Sequence, residues 1–212
     1  MNYYPVFLQL KDKPCLVVGG GRVGERKVEG LLKAGARVTV VSPEVTPRLA
    51  GLAREGRIDW EPREYQPPDL KGKVLVFVAT PDRQLNWRVA KECRERGIWV
   101  NVADGPEESS FLVPAVVRKG SLQVAISTGG QSPALAAWLR ERIEEMVGKE
   151  YGSFSQFLAE LRPLLKERFP EDQTKRADIF RKLARDTELL ELVARGDKKA
   201  ARERVERCLS GW

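Results

Sequence analysis

The sequence predicts an α/β protein: a doubly wound parallel sheet over residues 1–113, a small α+β segment over 114–147 and a helical domain over 148–212. Three observations predict it. Strand-length apolar runs alternate with amphipathic stretches through the first half. The connections between them are short and marked by Gly and Pro. Beyond Gly148 the apolar spacing is helical throughout.

Val6–Leu10 and Cys15–Val18 are apolar runs separated by the turn Lys11-Asp12-Lys13-Pro14. Arg22–Ala34 reads as a helix with Val23, Val28, Leu31 and Leu32 on its apolar stripe, closed by Gly35. A second strand follows at Val38–Val41, then a short helix at Pro47–Arg54 and a short strand at Arg57–Trp60. Val74–Ala79 is the most apolar run and the candidate central strand, because strands buried on both faces lose their alternation. Asp82–Arg96 is a helix with Leu85, Val89 and Cys93 four apart, and Ile98–Val102 a further strand. Right-handed crossovers between these strands place helices on both faces of the sheet.

Ala115–Arg118 and Leu122–Ser127 read as a hairpin around Lys119-Gly120. Ser132-Pro133, an N-cap followed by proline at the first helical position, opens a helix running to about Val147. Next comes a helical stretch from Phe154 to Phe169, which Pro163 should kink. Ile179–Arg185 and Glu188–Leu209 are further short helices, broken near Gly196.

Composition excludes several chemistries. Histidine is absent from all 212 residues, which removes Ser-His-Asp and Cys-His nucleophile systems and any histidine metal site. Cys15, Cys93 and Cys208 form no CxxC pair, which argues against zinc and against a disulfide scaffold. No apolar run reaches membrane length and no signal peptide is visible at the N-terminus, so a reducing cytoplasm is the expected compartment, with no membrane partner. The net charge of +7 is spread over both halves and not gathered into a tail or block. That spread argues against nucleic acid and leaves a solvated basic surface or an acidic small-molecule substrate.

Gly19-Gly20-Gly21-Arg22-Val23-Gly24 supplies GxGxxG directly after one strand and at the opening of a helix, the context that a dinucleotide fingerprint requires. Gly19 permits the tight turn, Gly21 the approach of a pyrophosphate, and Gly24 close packing of helix on sheet. The unpaired N–H groups and positive end of the helix then face the phosphates. This is a Rossmann-like arrangement. At the tip of the second strand, Ser42, Pro43 and Glu44 stand where a ribose-binding carboxylate is expected, Glu44 a little late. Arg37 and Arg48, close in sequence, leave a 2′-phosphate open, so NAD over NADP is a preference.

Two later strand ends should border the same crevice: Ala79-Thr80-Pro81-Asp82 and Asn101-Val102-Ala103-Asp104. Asp82 suits the N-cap of its helix. Asp104 has no helix to cap, because Gly105-Pro106 follows; it reads either as a general base beside a nicotinamide or as a solvated loop aspartate. Ser127-Thr128-Gly129-Gly130-Gln131-Ser132-Pro133 is either an anion cradle or a helix-capping loop.

Taken together, these residues resemble the siroheme synthase family. The likeness runs in order through Leu8-Gln9-Leu10, Cys15 to Lys27, Ala34 to Pro43, Val78-Ala79-Thr80, Asn101 to Asp104, Ser110-Phe111 with Pro114, and Ser127 to Leu135. The resemblance implies an NAD-dependent precorrin-2 dehydrogenase yielding sirohydrochlorin, in some members paired with a ferrochelatase that takes ferrous iron as substrate. It implies a homodimer built through the segment 114–147, and it makes Asp104 the catalytic residue. The residues expected at the cofactor are Gly19, Gly21, Arg22, Val23, Gly24, Ser42, Pro43, Glu44 and Thr80. Those expected at the acidic tetrapyrrole are Asn101, Ser127, Thr128 and Gly129, and no residue is assigned to a metal. The chain is too short to hold the methyltransferase domain of trifunctional members, so methylation is expected of another protein. A non-catalytic NAD-sensing module is the alternative, against which the Asp104 segment, the Ser127–Pro133 loop and the helical tail all argue. Other NAD(P) dehydrogenases predict a Tyr-x-x-x-Lys pair or a histidine, and neither occurs.

Overall fold

A computed structural model describes residues 3–210. The first of its two compact units ends at Val113 and the second begins at Pro114. In the first unit the elements run β1 (Pro14–Val18), α1 (Arg22–Lys33), β2 (Arg37–Val41), α2 (Pro47–Arg54), β3 (Asp59–Glu61), a 3-10 turn (Pro67–Leu70), β4 (Leu75–Val78), α3 (Arg83–Glu95) and β5 (Trp99–Val102). All five strands are parallel, in the order β3-β2-β1-β4-β5. The chain therefore reverses direction of winding between β1 and β4, the point where ligands of open α/β sheets bind.

The period of two along each strand divides the core. Cys15 and Val17 of β1 face α1 and α2 through Val28, Leu31, Leu49 and Leu52. Leu16 and Val18 face α3 through Val89, Ala90 and Cys93. Each fully buried Val or Leu contributes about 1.5–3 kcal/mol, so both sheet faces are held strongly. Burial pushes the Cys15 thiol up to about 11 and the Cys93 thiol up to about 12. Both stay protonated and pack as small apolar side chains.

Two expectations need correction. Val74–Ala79 is not the central strand: β1 is, with β4 beside it, and both are apolar because both are covered on two faces. The Val6–Leu10 run joins no sheet; Val6, Phe7 and Leu8 are exposed, and Leu10 alone of the run packs on the core. Pro163 lies inside one continuous helix that runs from Glu150 to Arg168. Proline there removes one backbone hydrogen bond, and burial of Phe154, Phe157, Leu161 and Leu165 on one face holds the helix regardless.

The second unit opens with an antiparallel hairpin, β6 (Ala115–Lys119) and β7 (Leu122–Ile126), turning at Gly120. Five helices follow: α4 (Pro133–Met146), α5 (Glu150–Arg168), α6 (Gln173–Leu183), α7 (Thr187–Ala194) and α8 (Lys198–Ser210). The break near Gly196 falls between α7 and α8, where Gly196 takes a φ of 75°. Phe154, Phe157, Leu165, Ile179, Leu183, Leu189 and Val205 make the core of this unit. The Arg204 guanidinium crosses from α8 to both oxygens of Asp186, the α7 N-cap, at 2.9 and 2.7 Å. Among the described residues no helix is long and apolar enough to cross a membrane.

Candidate functional site

Register places four loops at one edge of the sheet. Val18 pairs with both Val41 and Val78, and Val78 with Val102, so β1, β2, β4 and β5 end level and their turns leave together.

The first of these turns is built of glycine for three separate reasons. Gly19 has φ 110°, and a Cβ there would lie 2.4 Å from the Ala79 carbonyl oxygen, so the β1 and β4 turns touch through it. A Cβ on Gly24 would lie 2.2 Å from the Gly19 carbonyl oxygen, which lets α1 start directly against the turn. Gly21 differs: it is exposed, its φ of −77° suits any residue, and a Cβ would meet nothing within 4 Å. Its lack of a side chain leaves open space above the helix start. Gly21 is the N-cap of α1 and no side chain caps the helix, so the amides of Arg22, Val23 and Gly24 have no helical acceptor. A diphosphate fits this cradle.

The middle glycine, unremarked in the sequence reading, has its own role. A Cβ on Gly20 would lie 2.2 Å from the Glu44 carbonyl oxygen, and the Gly20 carbonyl accepts from Thr46 N–H at 3.0 Å. The Thr46 hydroxyl caps α2 and donates to Glu25. The β1 turn and the β2 tip are thus one packed piece. At that tip the Ser42 hydroxyl donates to the Glu44 carbonyl at 2.7 Å, and Glu44 and Pro43 are exposed. Arg37 stands at the opposite end of β2, its guanidinium on the Asp12 carbonyl at 3.1 Å, and Arg48 lies 3.9 Å from Glu29.

The β4 end is held by groups that spacing alone did not reveal. The Thr80 hydroxyl donates to Asn86 Oδ1 at 2.6 Å, and the buried Asn86 amide returns a bond to the Thr80 carbonyl at 3.0 Å. Thr80 can therefore meet a cofactor by its backbone, its hydroxyl proton being used on Asn86 of α3. Asp82 is the N-cap of α3, accepting from Gln84 and Leu85 N–H.

At the β5 end, Asp104 is exposed and adopts φ 59°, one of two non-glycine residues with positive φ among those described. Gly105 N–H donates back to the Val102 carbonyl at 3.2 Å, closing a tight turn with Asp104 as its third residue. Among the described residues nothing hydrogen-bonds to the Asp104 carboxylate. Asn101 is only 7% exposed. Its Nδ2 donates to the Phe111 carbonyl at 3.0 Å and its Oδ1 accepts from Lys27 Nζ at 3.3 Å, so the amide is used inside the fold. Lys27 reaches there from α1, with its ammonium 5.1 Å from the centre of the Phe77 ring. Burial holds this ammonium below the usual lysine value and Arg26 lowers it further, while the negative charge of Asp104 acts in the other direction.

Ser127, Thr128 and Gly129 belong to the second unit. There the Ser127 hydroxyl accepts from Gly129 N–H at 3.1 Å, the Thr128 hydroxyl bridges Ser132 N–H and carbonyl at 3.0 Å each, and Ser132 caps α4. The loop works as a helix cap, and Gly129 takes φ 66° within it with open space around its α-carbon.

A putative NAD(P)-binding family matches residues 6–115. The sirohaem biosynthesis protein central region matches 119–146, and the sirohaem synthase dimerisation region matches 150–209. The name of dimerisation region thus attaches to the helical stretch and not to the segment 114–147 expected to carry it. The siroheme synthase of Methylobacillus flagellatus is 44% identical over 100% of this chain and 45% of its own length. Siroheme synthase 1 of Aeromonas salmonicida is 43% identical over 96% of the chain and 43% of its own length. The chain therefore spans less than half of the curated relatives it matches. A solved structure, SirC, precorrin-2 dehydrogenase, superposes with a TM-score of 0.77 at 26% identity, covering 99% of this chain and all of that one. With the three regions following one another in order from residue 6 to residue 209, the chain belongs to the siroheme synthase family.

Proposed function

We propose that the protein is a dehydrogenase that oxidises precorrin-2 to sirohydrochlorin with NAD. The observation that carries this reading is the pairing, at one sheet edge, of an open, uncapped glycine cradle at Gly19–Gly24 with a carboxylate, Asp104, that accepts no hydrogen bond from the described residues and feels the Lys27 ammonium only through its charge. Its likeness to SirC, named as a precorrin-2 dehydrogenase, supports the same substrate.

When bound, NAD supplies the hydride acceptor. The amides of Arg22, Val23 and Gly24 hold the diphosphate, and Ser42, Pro43 and Glu44 border the ribose. Arg37 begins β2 about 13 Å of extended chain away from that tip, and Arg48 faces Glu29, which favours NAD over a 2′-phosphorylated cofactor. As hydride leaves precorrin-2, the Asp104 carboxylate takes up the accompanying proton. Loss of one hydride and one proton balances the oxidation. Positioned acid–base catalysis of this kind is worth about 10²–10⁴ in rate. Asn101 contributes by anchoring the end of β5, and in the loop of Ser127, Thr128 and Gly129 it is the Ser127 hydroxyl, which accepts from Gly129 N–H, that offers its proton to a substrate carboxylate. The net charge of +7 suits a many-acid ring and speeds encounter in a salt-dependent manner. The same reading takes ferrous iron as substrate of a following chelation and a pair of chains as the working assembly, in keeping with the dimerisation region at 150–209.

Mixing the protein with precorrin-2 and NAD tests this directly. The expected outcome is the absorption spectrum of sirohydrochlorin appearing together with one equivalent of NADH. Binding of NAD without conversion of precorrin-2 would overturn the substrate assignment.

A further inference from the structure

Among the described residues β5 is an edge strand, with β4 on one side and no strand on the other. Its outward backbone groups need partners, and two adjacent serines supply them. The Ser110 hydroxyl accepts from Val100 N–H at 2.7 Å and lies 3.1 Å from the Val100 carbonyl. The Ser109 hydroxyl accepts from Val102 N–H at 2.9 Å, one pleat further on. Here the two serines part ways. Ser109 Oγ is 3.4 Å from the Val102 carbonyl but 2.7 Å from that of Gly105, so its single proton goes to Gly105. The hydroxyl thereby clasps the first and last residues of the turn whose third residue is Asp104.

That turn is under strain. Asp104 holds φ 59°, a left-handed conformation that aspartate accepts more readily than most residues but that still disfavours a side chain. A strained residue persists only where its surroundings over-determine it. The Gly105-to-Val102 hydrogen bond is long at 3.2 Å, and the Asp104 carboxylate makes no bond of its own that would fix it among the described residues. The shortest contact closing the turn is the one from Ser109.

We infer that Ser109 is a positioning residue for the dehydrogenation, its hydroxyl holding the Val102–Gly105 turn in the one geometry that presents the Asp104 carboxylate to substrate. This rests on the proposed function of Asp104. Ser110 does the same chemistry on the same strand without touching the turn, and so provides an internal control.

The test compares Ser109→Ala and Ser110→Ala in the whole protein, measuring Tm, the Kd for NAD, and kcat and KM for precorrin-2. Each variant loses one edge-strand partner, so both are expected to lower Tm by about 2–4 °C and to leave the Kd for NAD unchanged. Ser109→Ala alone is expected to lower kcat by about 10- to 100-fold, the range that a misplacement of about 1 Å produces, with KM within threefold. Ser109→Thr, which keeps the hydroxyl, is expected to stay within threefold of wild type. Equal kcat losses in the two alanine variants, no loss in either, or a threonine variant as slow as Ser109→Ala would overturn the inference while leaving the functional reading intact. A wild-type protein that binds NAD yet leaves precorrin-2 unchanged would instead remove the reading, and the role of Ser109 with it.

Discussion

The turns after β1 and after β5 leave the same sheet edge, and both contain a residue with positive φ, yet they are built in opposite ways. After β1 the position is Gly19, at φ 110°, where a side chain would collide with the β4 turn. After β5 it is Asp104, at φ 59°, where glycine would be the less strained residue and a carboxylate stands instead. On the proposed reading, the first turn gives up side chains so that backbone amides can approach a ligand. The second accepts local strain to keep one side chain, and recruits Ser109 to hold it. Under the proposed function the difference separates a binding turn from a chemical one: amides recognise phosphate, but moving a proton requires an acid or a base.

Gly21→Asp gives the largest expected effect and breaks the first half of the comparison if it fails. The site has room for the side chain and an ordinary φ, and aspartate is a favoured N-cap. Tm should therefore hold or rise while NAD binding is lost, because a carboxylate would occupy the phosphate path. Normal titration with NAD, read by calorimetry, would show that the diphosphate lies elsewhere. Next in size is Asp104→Asn, which retains the shape and the tolerance of left-handed backbone but cannot take up a proton. The expected loss is about 10²–10⁴ in kcat, or roughly 3–5 kcal/mol, with the Kd for NAD unchanged. Turnover near that of wild type would take Asp104 out of the mechanism.

The two turns also differ in how far the sequence disclosed them. GxGxxG between an apolar run and an amphipathic helix is legible because each glycine answers a steric demand, and the elements on either side are fixed by their periodicity. Even there Gly20 escaped notice, since its reason is a contact with Glu44, more than twenty residues on. Asp104 could be singled out from its place after an apolar run and before Gly105-Pro106, but its φ, its strain and its clasp could not. Ser109 and Ser110 read as ordinary loop serines until β5 is known to be an edge strand, and strand order is not written in any local pattern. The centre of the sheet was misplaced for the same reason: Val74–Ala79 and Cys15–Val18 are both covered on two faces, and apolar content cannot say which is middle. Lys27 was hidden differently. Its position on α1 was plain, but its bond to Asn101 spans 74 residues.

The smallest effect sharpens the comparison most. Asp104→Gly makes the β5 turn resemble the β1 turn. Glycine adopts positive φ without penalty, which removes a strain of up to about 1–2 kcal/mol, while the greater freedom of glycine in the unfolded chain returns roughly 0.4–1 kcal/mol of that gain. The net should be a stabilisation of up to about 1 kcal/mol, and a rise in Tm of at most about 2–4 °C for a protein of this size, in a variant that no longer turns over precorrin-2. Stability rising as activity vanishes is the signature of a residue kept for chemistry against the preference of its backbone. If Tm falls instead, the aspartate side chain contributes to the fold, and the contrast with Gly19 reduces to two structural turns of different composition. Calorimetric melting of Asp104→Gly beside Asp104→Asn separates these outcomes, since both lack the carboxylate and only the glycine variant relaxes the backbone.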